Sequence, residues 1–193
     1  MSPVHAMERS YRAIKQLLRD GQIASGARLE ANTFAQDLNV SVTPVRDVLH
    51  RLAGEKLVEA TSGEGFRVPR YSEADLRSLY GWNAALMILS ARAVDIGPAL
   101  LASRRPCPLA DRFGTIVEHV AALVPNQEVA AALRNASDRL QPFRIAECYV
   151  FEDLSAELEA FETSTSNFAN TIRTLHARRI RSVSELLQHR DRM

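Results

Sequence analysis

Cysteine is scarce in this chain of 193 residues, which contains only Cys107 and Cys148. The two lie far apart and outside any C-x-x-C spacing, so the sequence indicates neither a disulfide framework nor a zinc knuckle. Such cysteine usage is typical of a reducing compartment, and we expect a cytoplasmic protein.

Long apolar runs and an excess of one charge are missing as well. The longest apolar runs, such as residues 84–89, fall far short of the roughly 20 residues that span a bilayer. No signal sequence is visible, so we expect no membrane partner. The net charge is +1, from 24 basic and 23 acidic residues. Because no global positive field indicates nucleic acid, a nucleic-acid partner must be inferred from local placement.

The residue combinations of common enzymes are also absent. The sequence contains no paired nucleophile and base, no glycine-rich phosphate loop and no metal-protease spacing. We therefore expect a protein that is not an enzyme and has no catalytic residues.

The chain does have the length and the 46% hydrophobic content needed for two modest domains. A capping-box pattern begins at Ser72, where Asp75 stands three residues later and a long apolar periodicity follows. We therefore place a boundary near Arg70 and predict two domains, residues 1–70 and 71–193.

Short helices and strands alternate in the first domain. Apolar residues at helical spacing predict helices from Ala6 to Asp20 and from Ala31 to Leu38. Ser41 is a good N-cap for a third helix that ends near residue 53 and carries Pro44 in its first turn. Two short helices joined by a tight connection indicate a helix-turn-helix.

A hairpin follows these helices. Alternation predicts strands over residues 57–60 and 66–68, around a glycine-containing tip at 61–65. A helix, a short strand, a helix-turn-helix and a two-stranded wing form the winged-helix layout. This layout predicts a protein that binds a double-stranded DNA operator.

Several stretches of residues 9–69 carry a more specific pattern. They are Ser25-Gly26-Ala27-Arg28-Leu29, the run from Phe34 to Leu49, Lys56-Leu57-Val58 and Gly63-Glu64-Gly65. In these stretches the chain resembles the GntR family of bacterial transcriptional regulators, above all in the run Val-Ser-x-Thr-Pro-Val-Arg. Two residues depart from the pattern: Val42 stands where the family usually has a base-contacting arginine, and Glu64 where the wing tip is usually basic or neutral.

The recognition helix supplies most of the predicted DNA contacts. An arginine fork can satisfy N7 and O6 of guanine together, and the resemblance implies that Arg46 reads a base. Ser41 and Thr43, with the first amides of the helix, can bind phosphate and so position the helix. Val42 can pack against a thymine methyl group. For each residue the alternative is an ordinary solvated side chain.

Four further residues complete the predicted DNA-binding set. Arg28 resembles a family contact to the DNA backbone, and Asn32 stands where some members have another DNA-contacting arginine. An amide can read adenine or hold a phosphate. Gly63 and Gly65 turn the hairpin, whether or not the wing also touches a minor groove.

The second domain is predicted to be entirely helical. Apolar spacing predicts helices over residues 72–95, 109–124, 127–149, 153–161 and 168–188. Gly97-Pro98 should end the first of these, Pro142 should kink or break the third, and 163–167 should form a loop. The predicted fold class is therefore mainly α, with an N-terminal winged helix-turn-helix and a C-terminal all-helical bundle.

This helix order, with Asn126-Gln127-Glu128-Val129 and His176-Ala177-Arg178-Arg179, resembles the FadR-like group of the family. The resemblance implies a homodimer that binds a carboxylate-bearing metabolite, in many members through a metal held by one Asp and three His. The Asp-x-x-x-His pair of that site is missing here, so we expect no metal and no other cofactor. A transition-metal site built from His119, His176 and Asp111 or His189 is the disfavoured alternative.

The candidate effector-binding residues are Arg134, His119 and His176. An inward-facing arginine can hold an anion bidentately, and Arg139, Arg144 and Arg173 are further candidates for that orientation. Two hypotheses stay open for the second domain: it senses a small effector, or it is insensitive to ligands and only dimerises. A polar-lined cavity would distinguish the two.

Overall fold

The computed structural model describes residues 3–61, 63–97, 108–163 and 167–192. Cys107, Pro98 and most of the loop predicted over 163–167 lie outside these ranges. The chain divides into two compact units, one within residues 1–70 and the other over Tyr71–Arg192.

Three helices and a small sheet form the first unit. Its elements are α1 (Pro3–Arg19), β1 (Arg28–Leu29), α2 (Ala31–Asp37), α3 (Val42–Gly54), β2 (Glu59–Thr61) and β3 (Gly65–Arg67). The sheet is antiparallel in the order β1-β3-β2, with Arg28 opposite Arg67 and Ala60 opposite Phe66. The helix-turn-helix and the wing predicted from the sequence are both present.

The core of this unit lies between α1, α3 and the sheet. Ile14 of α1 and the inner stripe of α3 are fully buried; the stripe consists of Val45, Val48, Leu49 and Leu52. Leu57 and Val58, which we expected to begin the first wing strand, are also buried in this core, and β2 starts one residue later at Glu59. Hydrophobic burial therefore orients α3 so that its opposite face remains exposed.

Two backbone positions explain parts of the family-like pattern. Gly26 has φ +75°, a backbone conformation that other residues adopt rarely, so the turn before β1 favours glycine. Asn39 has φ +52° in the connection between α2 and α3, a conformation that asparagine tolerates better than most residues. The connection can therefore be tight.

Ser41 occupies the predicted N-cap position of α3, but its side chain makes no capping hydrogen bond. An N-cap hydroxyl normally accepts from the N–H of the second or third helical residue. Here the third helical residue is Pro44, which has no N–H. The same proline that favours the first turn thus removes one of the two donors that Ser41 could have used.

The described residues of the second unit contain six helices: α4 (Glu73–Ala93), α5 (Leu109–Leu123), α6 (Gln127–Val150), α7 (Leu154–Thr163), α8 (Phe168–Arg181) and α9 (Val183–Arg192). The predicted capping box is confirmed, because Asp75 N donates to Ser72 Oγ at 3.2 Å and Ser72 N donates to Asp75 Oδ2 at 3.0 Å. The predicted fold class, mainly α, is likewise confirmed.

Two helix predictions in this unit need correction. The segment 168–188 is two helices, since Ser182 caps α8 and donates its N–H to Arg178 O and Arg179 O. The apolar spacing runs on across the break because Leu175 and Val183 are both buried in one core. Of the two outcomes predicted for Pro142, the break is wrong, because α6 continues through this residue to Val150.

The core of the second unit is large and mostly apolar. In this core α5 packs along α6 and α4 packs along α8. Its fully buried side chains include Leu76, Met87, Ile116, Leu133 and Phe161. No helix within the described ranges is long and apolar enough to cross a membrane.

Candidate nucleic-acid interface

An open groove of about 720 Å³ lies between α3, β1, the start of α2 and the wing. Five of the residues predicted to bind DNA line it: Arg28, Asn32, Arg46, Gly63 and Gly65. They come from four separate elements of the unit, so the fold, rather than sequence proximity, brings them together. A concave surface at an exposed recognition helix has the form needed to receive a duplex.

Arg46 presents an exposed cationic side chain to this groove. Its side chain is exposed on the outer face of α3, opposite the buried Val45 and Val48. It has no hydrogen-bond or ion-pair partner among the described residues. The guanidinium fork can therefore turn toward a base edge without breaking an existing contact.

Arg28 is exposed at the other side of the groove but has a partner. Its Nε lies 2.8 Å from Oε1 of Glu30, and both side chains are more than half exposed to solvent. Exposed ion pairs contribute roughly 0.2–1 kcal/mol, so a phosphate can compete with Glu30 at small cost. Arg28 is thus placed for the backbone contact that the family resemblance implies.

The two glycines of the wing serve the turn. Gly63 has φ +80° and Gly65 has φ +86°, backbone conformations that other residues adopt rarely. Exposed Glu64 stands between them at the tip, so the end of the wing is acidic. An acidic tip repels phosphate, so Glu64 disfavours a contact between the wing tip and the DNA backbone.

Ser41 and Thr43 lie at a second recess, formed by the start of α1 and the connection between α2 and α3. Both are exposed and sit at the N-terminus of α3, where unpaired backbone N–H groups favour an anion. Val42 lines neither recess. It is half-buried and packs against the core, so less of it is available to a thymine methyl group than the sequence suggests.

His50 also lines the groove, although it is not among the residues predicted from the sequence to bind DNA. Its ring makes an edge contact with Phe66 of β3, with centroids 4.8 Å apart and planes at 77°. The available signal was spacing, because His50 follows Arg46 by four residues and so shares its helix face. The neighbouring Arg51 faces away and lies over the Tyr11 ring at 3.7 Å.

The three predicted effector-binding residues do not bond to one another. Arg134 Nε donates to Glu118 Oε1 at 2.9 Å in a partly exposed ion pair. His119 is half-buried, with Nδ1 2.8 Å from the carbonyl oxygen of Thr115 in its own helix. Within the described ranges, no group of three His, Cys, Asp or Glu side chains lies where it could hold a metal ion.

His176 is almost fully buried in the core of the second unit. Its Nδ1 lies 2.9 Å from Ile172 O and its Nε2 lies 3.0 Å from Asn83 Oδ1, so both ring nitrogens are engaged. Burial lowers the pKa of His176 to about 3, and the charges of Arg179 and Arg144 act in the same direction. The ring is therefore neutral near pH 7 and cannot attract a carboxylate by charge.

A network of charged and polar groups lies close to His176. Glu147 accepts from Tyr80 Oη at 2.8 Å and from Arg179 Nη2 at 2.9 Å. Arg179 also donates from Nη1 to Glu157 Oε2 at 2.6 Å. Burial and the neighbouring Glu147 charge raise the pKa of Tyr80 well above its ordinary value. Because each member is paired, the network lowers the cost of burying charge in this core.

The four arginines considered for an inward orientation differ in placement. Arg144 is buried, with Nη1 2.9 Å from Ser137 Oγ and its guanidinium 5.1 Å from the centre of the Phe113 ring. Arg139 donates to Tyr71 Oη, and Arg173 is exposed. The sequence interpretation missed Arg179, which shares the buried face of Leu175 at a spacing of four residues.

Comparisons with known proteins agree with this geometry. Residues 6–68 match the family described as bacterial regulatory proteins, gntR family. No curated protein matches the chain in sequence.

Two solved structures share the fold over nearly the whole chain. A Rhodococcus sp. RHA1 protein described as a transcriptional regulator GntR is 17% identical, with 94% of this chain and 97% of that chain covered and a TM-score of 0.66. E. coli McbR/YncC is 16% identical, with 97% and 98% covered and a TM-score of 0.64. At these identities the likeness shows the fold, including the helical C-terminal part.

The match to the family therefore lies within the first unit. Its order of elements, its exposed recognition helix and the match over residues 6–68 agree with one another. Residues 6–68, within the first unit, therefore form a winged helix-turn-helix domain that matches the gntR family of bacterial regulatory proteins.

Proposed function

We propose that the chain binds a specific operator as a homodimer and that its helical unit adjusts this binding in response to a small carboxylate-bearing metabolite. The observation that carries the proposal is the groove at α3, where Arg46 and Arg28 face the same open surface from different elements. In specific recognition some side chains read bases while others contact the sugar-phosphate backbone, and a surface with two arginines from different elements can do both.

Arg46 reads the sequence in this proposal. A bidentate arginine–guanine contact discriminates against other bases by about 1–3 kcal/mol. Arg28, Ser41, Thr43 and Asn32 hold the backbone or an adjacent base, and they set the register of α3 on the duplex. The partner is thus a short double-stranded operator.

Dimerisation is supported by surface chemistry as well as by the needs of recognition. One recognition helix covers only a few base pairs, so two copies on a two-fold site provide useful specificity. In the second unit, Trp82 is 50% exposed and Leu89 is 49% exposed, seven residues apart on α4. Two large apolar side chains on one helix face favour burial against another protein surface.

The polar core of the second unit supports effector control. Arg144, Asn83 and His176 are all buried among apolar side chains, although buried polar groups cost free energy. An anionic effector would interact with Arg144 rather than with Arg134, because a charge interaction at the buried Arg144 is screened less by water, whereas Arg134 lies at the surface in an ion pair with Glu118. No metal takes part in the proposed site, since both nitrogens of His176 are engaged.

The ligand-insensitive alternative also has support. Glu147, Arg179 and Tyr80 satisfy one another, so part of the polar core is already complete without a ligand. In that hypothesis the second unit only dimerises.

Two experiments test these proposals. In vitro selection of duplexes, followed by footprinting and light scattering, should give a near-palindromic site bound by two chains. A monomer on an asymmetric site contradicts the dimer.

Thermal melts against a panel of small carboxylates, with Arg144→Met as the variant and Arg173→Met as the exposed control, test the effector. If no carboxylate raises the melting temperature or alters DNA binding, the ligand-insensitive hypothesis is supported.

A further inference from the structure

We infer that His50 is an additional DNA contact, whose imidazole donates a hydrogen bond to a backbone phosphate at the rim of the major groove. This inference rests on the proposed use of the α3 groove by DNA. Its main support is that His50 lines the same groove and lies on the same face of α3 as Arg46, and that it is exposed.

The position of His50 along α3 favours a contact with a phosphate rather than with a base. The rise of about 1.5 Å per residue places His50 about 6 Å beyond Arg46 along the helix axis. The major groove is about 12 Å wide. With the N-terminus of α3 in the groove and Arg46 at a base edge, a residue one turn further reaches the rim, where phosphates lie.

The ring of His50 is held in place from the side. Phe66 contacts it edge-on at a centroid distance of 4.8 Å. Phe66 belongs to β3, the central strand, whose pairing with β1 and β2 fixes the backbone at that point. A supported ring loses little conformational freedom when it binds, so its hydrogen bond costs less entropy than that of a free side chain.

The nitrogens of the His50 ring are available for this contact. Neither bonds to another side chain or to the backbone within the described parts of the chain. A neutral imidazole has one N–H donor and a protonated one has two, so either form can donate to a phosphate oxygen. The contact is therefore independent of base sequence.

The test uses the full-length protein and the duplex that the wild type enriches by in vitro selection, together with a random duplex of equal length. His50→Ala should weaken binding about fivefold to tenfold on both duplexes, as expected for one lost hydrogen bond. His50→Gln keeps a donor and should retain most of the affinity. His189→Ala replaces a histidine of the other unit, away from both recesses, and serves as the control.

Single methylphosphonate substitutions locate the contact. One neutralised phosphate in each half-site should weaken the wild type but have no further effect on His50→Ala. Equal affinities of His50→Ala, His189→Ala and wild type overturn the inference. A loss confined to the selected duplex also overturns it, since it indicates a base contact. Failure of the wild type to enrich any duplex in the selection contradicts the proposed use of the groove instead. Circular dichroism establishes that each variant is folded before its affinity is compared.

Discussion

Arg46 and Thr43 lie three residues apart in α3 but line different recesses. Their substitutions should therefore have different consequences. Arg46→Ala should cost about 1–3 kcal/mol of specific binding and relax the preference at one base pair per half-site. Thr43→Ala should weaken binding evenly on all sequences, because a phosphate contact carries no base information. Anisotropy titrations on selected and random duplexes measure both losses.

The contrast between the two variants carries this test. If Arg46→Ala loses affinity equally on both duplexes, Arg46 contacts phosphate and does not read a base. Arg173→Ala replaces an exposed arginine of the helical unit and should leave both affinities unchanged.

His176 leads to a prediction about stability and pH. Burial lowers its pKa from 6.5 to about 3, so the unfolded chain takes up a proton at a pH where the folded chain does not. The contribution of this histidine to stability is present above pH 6.5 and is lost as the pH falls toward 3. The slope is at most about 1.4 kcal/mol per pH unit.

Urea unfolding at pH 7, 6 and 5, followed by fluorescence, measures that slope. Trp82 is the only tryptophan of the chain, so the signal reports on the helical unit. His176→Gln removes the group that takes up this proton on unfolding, so it should reduce the slope by up to about 1.4 kcal/mol per pH unit. His5→Gln should leave the slope unchanged. Equal slopes for wild type and His176→Gln would show that the buried ring does not cause the acid sensitivity.

The wing is a short hairpin whose tip carries the wrong charge for phosphate. Glu64 is exposed between the two glycines that turn the chain. Glu64→Arg should strengthen non-specific binding and steepen its dependence on salt, because each additional phosphate contact releases counterions. Titrations on random duplex at four salt concentrations give the slope.

A control separates this local effect from net charge. Glu152 is exposed in the turn after α6, in the other unit, so Glu152→Arg makes the same change of charge away from the wing. If both variants steepen the slope equally, the wing tip does not reach DNA.

The molecule as a whole is expected to work without a bound metal. A zinc site needs its ligands at about 2.0–2.2 Å, and a structural site usually has four of them. His176 has both ring nitrogens engaged, and His119 lies against its own helix backbone. Elemental analysis of protein purified without chelator or metal-binding tag should find less than one equivalent of zinc, nickel or manganese per chain.

The opposite result has a distinct signature. One equivalent of metal that is lost when His119 or His176 is replaced would restore the metal-dependent carboxylate binding implied by the FadR-like resemblance. Metal that persists in both variants would indicate a site elsewhere in the chain.

Much of the architecture follows from the sequence because the deciding interactions are local. Apolar periodicity marks a helix within a few turns, and turn residues mark its ends. The capping box at Ser72, the winged-helix order and the all-helical second unit were all predicted on that basis and are confirmed. Five of the eight predicted DNA-binding residues meet in one groove because a known order of elements brings them there.

Local reasoning fails where a neighbour distant in the chain decides the outcome. Periodicity assigns a residue to a helix face but does not name what that face meets. It could not show that Arg134 pairs with Glu118 at the surface, or that Arg179 meets Glu147, 32 residues away, in the core. It also missed the break at Ser182, because one core buries apolar residues on both sides of it.

The sequence by itself determined most of the helices, the wing and the position of the recognition helix, since hydrogen bonds and burial periodicity arise between near neighbours. Only the tertiary structure decided which polar side chains are buried and paired and which face DNA. Burying a polar side chain requires a partner at hydrogen-bond distance, and for Arg179 and for Nε2 of His176 that partner comes from another helix. The contact between His50 and Phe66 also depends on the tertiary structure, because only the folded sheet brings Phe66 next to α3.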